Sequence, residues 1–330
     1  MPKIGLAVLV SILICTSALA QNNRSAVSLT GNDSATCQVP DPCRTFDVAI
    51  SKTNAGGEVI VLSSAGYGSF TVNKAISIIS PPAYHAAMAP ASGDAITINV
   101  DNALVVLRGL TLNGSLGGVN GITFTGATTT SNTTVYIENC VISGFSGNGV
   151  NFARNGTLFV SELIARRNGV GILVDGPSLS SRANIDHALL EESSGNGGLV
   201  VQNASVAIRN SVAAGNSSIG FWALATVSGT TAELSADNCQ ATHDSFGFYS
   251  GGGLGTARLM VSNSVASSNS LNGITASTNG TVRASNNTVT RNVNIGLAQG
   301  SGGVFESRGN NTVRGNTTET AGTITLFGPL

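Results

Sequence analysis

Charge is scarce in this chain: only 10% of its 330 residues are Asp, Glu, Lys or Arg, and the formal net charge is −1. Without a basic field, nucleic acid and anionic lipid are excluded as electrostatic partners. No linker or shift in charge breaks the composition from about Glu58 onward, which argues against two domains and for one elongated unit. Disorder is excluded because 42% of the residues are hydrophobic. A membrane span is not expected either, since the apolar run Ile4 to Cys15 falls short of the ~20 residues a bilayer crossing needs. That run follows Lys3 and precedes Thr16-Ser17-Ala18-Leu19-Ala20 and Gln21. The order basic, apolar, small, with an Ala-x-Ala site, reads as a signal peptide over residues 1–20 and predicts a secreted or periplasmic protein. Cys15 follows the bulky Ile14, which argues against lipidation.

Four cysteines remain in the mature chain. Cys37 and Cys43 are six residues apart around Pro40 and Pro42, a spacing that lets the chain turn back within disulfide reach, so a bond is predicted in an oxidising compartment. Cys140 and Cys239 are flanked by apolar residues and fall four repeats apart, about 19 Å at one strand spacing per repeat. They are expected as free thiols in the core.

What the chain does have is a period. Gly followed by a large apolar residue recurs at Gly121, Gly149, Gly171, Gly198, Gly220, Gly247, Gly273 and Gly296, at intervals of 28, 22, 27, 22, 27, 26 and 23, with a mean of 25. A second column is chemically sharper: Asn139, Glu162, His187, Asn210, Asn238, Asn263, Asn286 and Asn310. Apolar residues stand two and four positions before it, as Ile137 and Val135 stand before Asn139, which is the alternation of a strand with one buried face. If each unit is one coil, equivalent strands pair in parallel at about 4.8 Å and equivalent side chains stack into columns. An Asn column at a bend can then bond from coil to coil, as in other stacked β structures.

Competing repeats fit less well. Leucine-rich repeats need a Leu-x-x-Leu-x-Leu run with a helical return, left-handed helices need hexapeptides, calcium rolls need Asp-rich nonapeptides, and a propeller blade needs about 40 residues. The expected fold is therefore all-β, a single-stranded right-handed parallel β-helix of about ten coils over residues 58–330. Residues 21–57 are read as an N-terminal segment with the disulfide and a short capping helix at Thr45 to Ser51, where Phe46, Ala49 and Ile50 follow helical spacing. At the other end, Glu306 and Arg308 fall where inward residues belong, so the last coil is expected to be shifted or open to solvent.

Through Cys43-Arg44-Thr45-Phe46, the turn Gly56-Gly57, the strand Glu58 to Leu62, Gly66-Tyr67-Gly68, the stretch Val72 to Ile78 and the Gly and Asn columns, the chain resembles the right-handed parallel β-helix proteins of the pectin-lyase-like superfamily. The resemblance implies an extracellular or periplasmic polysaccharide as partner. It does not imply a reaction, because the group includes lyases, hydrolases, epimerases and members without known activity.

The chemistry of such enzymes is incomplete here. Hydrolysis needs two carboxylates flanking the bond, and the Asp-Asp, Gly-His-Gly and Arg-x-Lys signatures of the family's hydrolases are missing. Ile185-Asp186-His187 resembles a short piece of the pectate-lyase signature, without its Trp or the companion Arg-x-Pro-x-x-Arg. His187 is read as a structural substitute in the Asn column beside Glu162. Glu191-Glu192 should pair with Arg166-Arg167 across coils as surface ion pairs. Asp186, Arg209 and Asp237 fall on three consecutive coils just before the Asn column and would form an acid, base, acid stripe, with Glu138, Glu162 and His243 nearby. Phe221 and Phe248 are read as core, whereas Trp222 and Tyr249 should point outward and could stack on a sugar.

The candidate carbohydrate-binding residues are thus Asp186, Arg209, Asp237, Trp222 and Tyr249, with no catalytic residue, metal or cofactor assigned. A polysaccharide or cell-envelope binder without catalysis is the leading reading. A divergent lyase or other carbohydrate-active enzyme and a structural adhesion module are the alternatives, and a monomer is expected.

Overall fold

A computed structural model describes residues 22–125, 132–176 and 181–328. The leader expected over residues 1–20 and most of the inserted turn at 127–132 lie outside them. Among the described residues no helix is long and apolar enough to cross a membrane.

The chain winds into a right-handed parallel β-helix of about ten turns. One coil shows the plan: Thr133–Glu138 lies on a first face, Val141–Ser143 on a second and Asn148–Phe152 on a third. Each strand pairs in parallel with its equivalents on the coils above and below. The first two faces join into a 22-stranded sheet, and the third is an 11-stranded sheet. Stacking begins upstream of residue 58, because Asn22–Val27 already pairs in parallel with Thr53–Val61. Between these strands the helix Phe46–Lys52 buries Phe46, Ala49 and Ile50 against the first coils. Cys37 and Cys43 are disulfide-bonded beside it, and Cys140 and Cys239 are free and buried.

The corner between the first two faces explains the Asn column. Asn139, Glu162, His187, Asn210, Asn238, Asn263 and Asn286 all have φ between 50° and 55°, the left-handed region that Asn tolerates better than other non-glycine residues. Backbone conformation therefore selects Asn there. The side chains do meet, with Asn238 Nδ2 donating to Asn210 Oδ1 at 2.8 Å and Asn286 Nδ2 to Asn263 Oδ1 at 2.7 Å, but they stand at an exposed corner and do not satisfy buried groups.

The buried ladder is a different column, at the next corner. Asn168, Asn216, Asn269 and Asn292 are at most 2% exposed. Each donates Nδ2 to a core carbonyl one coil below: Ile142, Leu190, Ala241 and Ala266. Above them the pattern continues in Asn316, which donates to Val289. The Oδ1 atoms of Asn269, Asn292 and Asn316 in turn accept the backbone N–H of Asp244, Asn269 and Asn292. Beside this ladder runs the glycine column. A Cβ on Gly149, Gly171, Gly220, Gly247 or Gly273 would lie 2.5 to 2.8 Å from the carbonyl oxygen of the glycine on the next coil. Only glycine allows coils to approach that closely.

Inside, Phe221 and Phe248 stack with centroids 5.0 Å apart and are fully buried, as expected. At the C-terminal end the register does shift. Ala284 pairs with Ser307, 23 residues on, and Thr288 with Thr312, 24 residues on, so one residue is inserted between them. The shift turns Phe305 and Ser307 inward. Glu306, expected inward, points out to Arg283 at 2.7 Å, and the exposed Arg308 lies over the Phe327 ring.

Candidate functional site

Strand alternation places every second residue of the first face outward, in rows parallel to the axis. One row, immediately before the corner, is Arg108, Glu138, Ser161, Asp186, Arg209 and Asp237; a second, two residues earlier, is Val106, Tyr136, Phe159, Asn184, Ala207 and Ser235. Small side chains at Ala207 and Ser235, set between the rings of Tyr136 and Phe159 and the longer Met260 and Arg283, leave a trough. Its larger part has a volume of about 620 Å³ and runs from Tyr136 to Ser235 and Asp237. At four strand spacings it is roughly 19 Å long. A smaller continuation passes Glu233, Arg258, Met260 and Arg283.

The sequence-predicted stripe lies along this trough. Arg209 Nη2 is 3.0 Å from Asp186 Oδ2. Asp186 Oδ1 accepts Asn210 Nδ2 at 2.8 Å and faces His187 Nδ1 at 2.9 Å. Partial desolvation pulls the Asp186 carboxyl up, but the bonds from Asn210 and Arg209 and the charge of Arg209 outweigh it and hold it below the usual carboxylate range. Asp237 Oδ1 accepts Asn263 Nδ2 at 2.6 Å and Ser262 Oγ at 2.8 Å, and these bonds hold it low as well. Both carboxylates are therefore ionised at neutral pH. Neither is held protonated, as the acid of a two-carboxylate hydrolysis is. Among the described residues, His, Cys, Asp and Glu side chains form no cluster of three or more with metal-ligand geometry.

At one end of the trough lies a feature the sequence reading missed. Tyr136 and Phe159, half-buried on adjacent coils, stack with centroids 4.7 Å apart and planes 12° from parallel. Each sits between two inward residues, Val135 and Ile137 or Leu158 and Val160, so strand alternation alone could have marked both as outward aromatics.

The other predicted residues go elsewhere. Trp222 and Tyr249 pair on the third face, away from Asp186, Arg209 and Asp237, so the five candidates do not form one site. They are half-buried, not freely exposed, and meet edge to face at 6.1 Å and 85°, with Phe246 edge-on to Tyr249 at 5.2 Å. Trp222 Nε1 donates to the Gly251 carbonyl at 3.0 Å, so its polar edge is used within the fold. Glu138 lines the trough and is paired with Arg108. His187 lies against Asp186, not Glu162, and His243 sits at the second corner bonded to Thr242. Of the two ion pairs expected between Arg166-Arg167 and Glu191-Glu192, Arg167 and Glu192 form one at 2.6 Å; Arg166 and Glu191 are only aligned.

No family model and no curated protein sequence matches the chain. Three solved structures are similar in fold. One is an alginate lyase from Paenibacillus sp. str. FPU-7, with a TM-score of 0.62 and 12% identity, covering 92% of this chain and 99% of that one. A second is XylC, solved in complex with xylose, at 0.61 and 9%, covering 84% and 69%. The third is a pectate lyase at 0.52 and 16%, covering 93% and 83%. The TM-scores show a shared architecture, the right-handed parallel β-helix, and identities this low leave activity to the site itself.

Proposed function

We propose that the first-face trough binds a stretch of extracellular or cell-envelope polysaccharide, laid along the helix axis, and that the protein acts as a secreted or periplasmic binder without catalysis. The stacked pair Tyr136–Phe159 carries this reading. An aromatic pair at the end of a groove is what the apolar side of a sugar ring packs against. Beyond it, Asp186, Arg209 and Asp237, in line with Ser161, supply a rail of acceptors and donors for hydroxyl groups, with Asn184 and Ser235 on the row beside them. Polysaccharide-acting neighbours of the same fold support the ligand class. The two low carboxylates of the trough support binding over acid-base chemistry.

A glycan array followed by a product assay on every hit tests the reading. Binding without new reducing or unsaturated ends is the expected result, weakened by replacing Asp186, Arg209 and Asp237 together with Ala. Product formation would establish the divergent enzyme instead, and an array without hits would leave a structural module.

A further inference from the structure

The geometry points to a neutral polysaccharide as the ligand of this trough, an inference that rests on the reading above. Four arginines in and beside the trough are already matched across coils. Arg108 pairs with Glu138, Arg209 with Asp186, Arg258 with Glu233 and Arg283 with Glu306, all within 3.0 Å. Asp237 is held by amide and hydroxyl donors. Counted with its ion-pair partners, the main part of the trough sets Glu138, Asp186 and Asp237 against the guanidinium groups of Arg108 and Arg209, and Asp237 is the carboxylate left over, a net charge of −1. Arg182 stands on the outer row, opposite Thr157 and Ser205, outside that lining. A polyuronate would bring a line of carboxylates against this excess of negative charge and would have to break an ion pair to gain a cation. Hydroxyl groups, by contrast, can donate to the ionised carboxylates as they stand.

Calorimetric titration with xylan, mannan and arabinan oligosaccharides, and with oligogalacturonate and oligomannuronate, tests this, each with and without calcium. A neutral oligosaccharide should bind, and Tyr136→Ala and Phe159→Ala should each weaken it about tenfold while melting as cooperatively as the wild type. Tighter binding of either uronate, with or without calcium, overturns the inference and leaves the polysaccharide reading standing. Failure of every glycan on a broad array overturns that reading itself.

A second inference comes independently from the core. We infer that Asp244 is a neutral carboxylic acid standing in the buried ladder as an asparagine, so that its ionisation loosens the stack. Asp244 is 1% exposed. Its Oδ1 does what an Asn Oδ1 does, accepting the backbone N–H and Nδ2 of Asn216 at 2.8 and 2.9 Å, as Asn292 Oδ1 accepts those of Asn269. Its Oδ2 lies beside Gly220 on the coil below, where the Nδ2 atoms of Asn269, Asn292 and Asn316 lie beside Gly247, Gly273 and Gly296. Those nitrogens donate to Ala241, Ala266 and Val289; the carbonyl at the equivalent position for Asp244 belongs to Ala213. Oδ2 is buried and, among the described residues, has no hydrogen-bond partner as an acceptor. A proton on it would supply the donor that the slot calls for.

Burial pushes this carboxyl up to about 7 against the bonds from Asn216 and Thr242. Its neighbours on the adjoining coils, Asn216, Gly220 and Asn269, carry no charge, and the titratable side chain on its own turn, His243, is exposed and bonded to Thr242 Oγ1. With the folded value above the unfolded one, the unfolded chain releases the proton first. Stability therefore falls as pH rises between the two values, by up to about tenfold in the folding constant per pH unit.

Asp244→Asn restores the ladder residue and isolates the effect. Thermal melts from pH 4 to 8 should show the variant increasingly more stable than the wild type as pH rises. Carbon-13 spectra of the aspartate-labelled protein should show one carboxyl still protonated at pH 6. A variant that is less stable than the wild type, or whose margin does not change with pH, overturns the inference.

Discussion

Asn238 donates its side-chain amide to Asn210 across one coil at 2.8 Å, and both occupy the left-handed corner with φ of 50°. Two coils can thus be bonded through asparagines that are there for their backbones. Asn238→Gly should consequently cost little, within about 0.5 kcal/mol, because glycine reaches that φ without strain. Asn269→Gly removes an acceptor for the Asp244 N–H and donors to Ala241 and Asn292 in the buried ladder. Stranding those groups should cost about 2–4 kcal/mol. Denaturant melts of the two variants separate the columns; equal losses would contradict the assignment.

The period was legible because corner conformation and core burial each impose a residue type on every coil. Asn at φ near 50°, Gly at the close approach, and Val, Ile, Leu or Ala inward repeat often enough to align the chain. The buried ladder was not legible, since its column reads Phe145, Asn168, Ser193, Asn216, Asp244, Asn269, Asn292 and Asn316 and lies in a turn rich in Gly and Ser. The stripe Asp186, Arg209, Asp237 could be placed by counting from the corner. The same count reaches Tyr136, Phe159, Asn184, Ala207 and Ser235 three residues before the corner, but residue type alone does not say that Ala207 and Ser235 leave a trough between their larger neighbours.

Phe248 lies fully buried over Phe221, while Tyr249, one residue on, faces outward. Phe248→Ala should leave a cavity between coils that cannot collapse and should cost about 3–5 kcal/mol. Tyr249→Ala, which removes a half-buried ring, should cost clearly less. Equilibrium unfolding of both variants checks the order, and a reversal would mean that the third-face strands are turned the other way.

Cys140 and Cys239 sit in the core, where burial pushes both thiols up to about 11. The thiolate is the reactive species, so neither should react with an aromatic disulfide reagent at pH 8 while the chain is folded. Two thiols should appear together on unfolding. Fast labelling of either one in the native state would show that its coil opens locally.

Acid should act on the charged stripe in the opposite sense to its action on Asp244. The Asp237 carboxyl is held below its ordinary value by Asn263 and Ser262. Its contribution to stability is therefore present above the unfolded value, near 4, and is lost as pH falls through the folded one. The group is exposed at the surface, so solvent screens the effect and keeps it small. Asp237→Asn should melt slightly below the wild type at pH 7, and the gap should close below about pH 4. Because these bonds come from neutral donors, added salt should leave the Asp237 gap nearly intact while shrinking the corresponding loss in Arg209→Ala, whose partner is the ionised Asp186. A salt response of the same size in both would mean that Asp237, too, is held chiefly by Arg209.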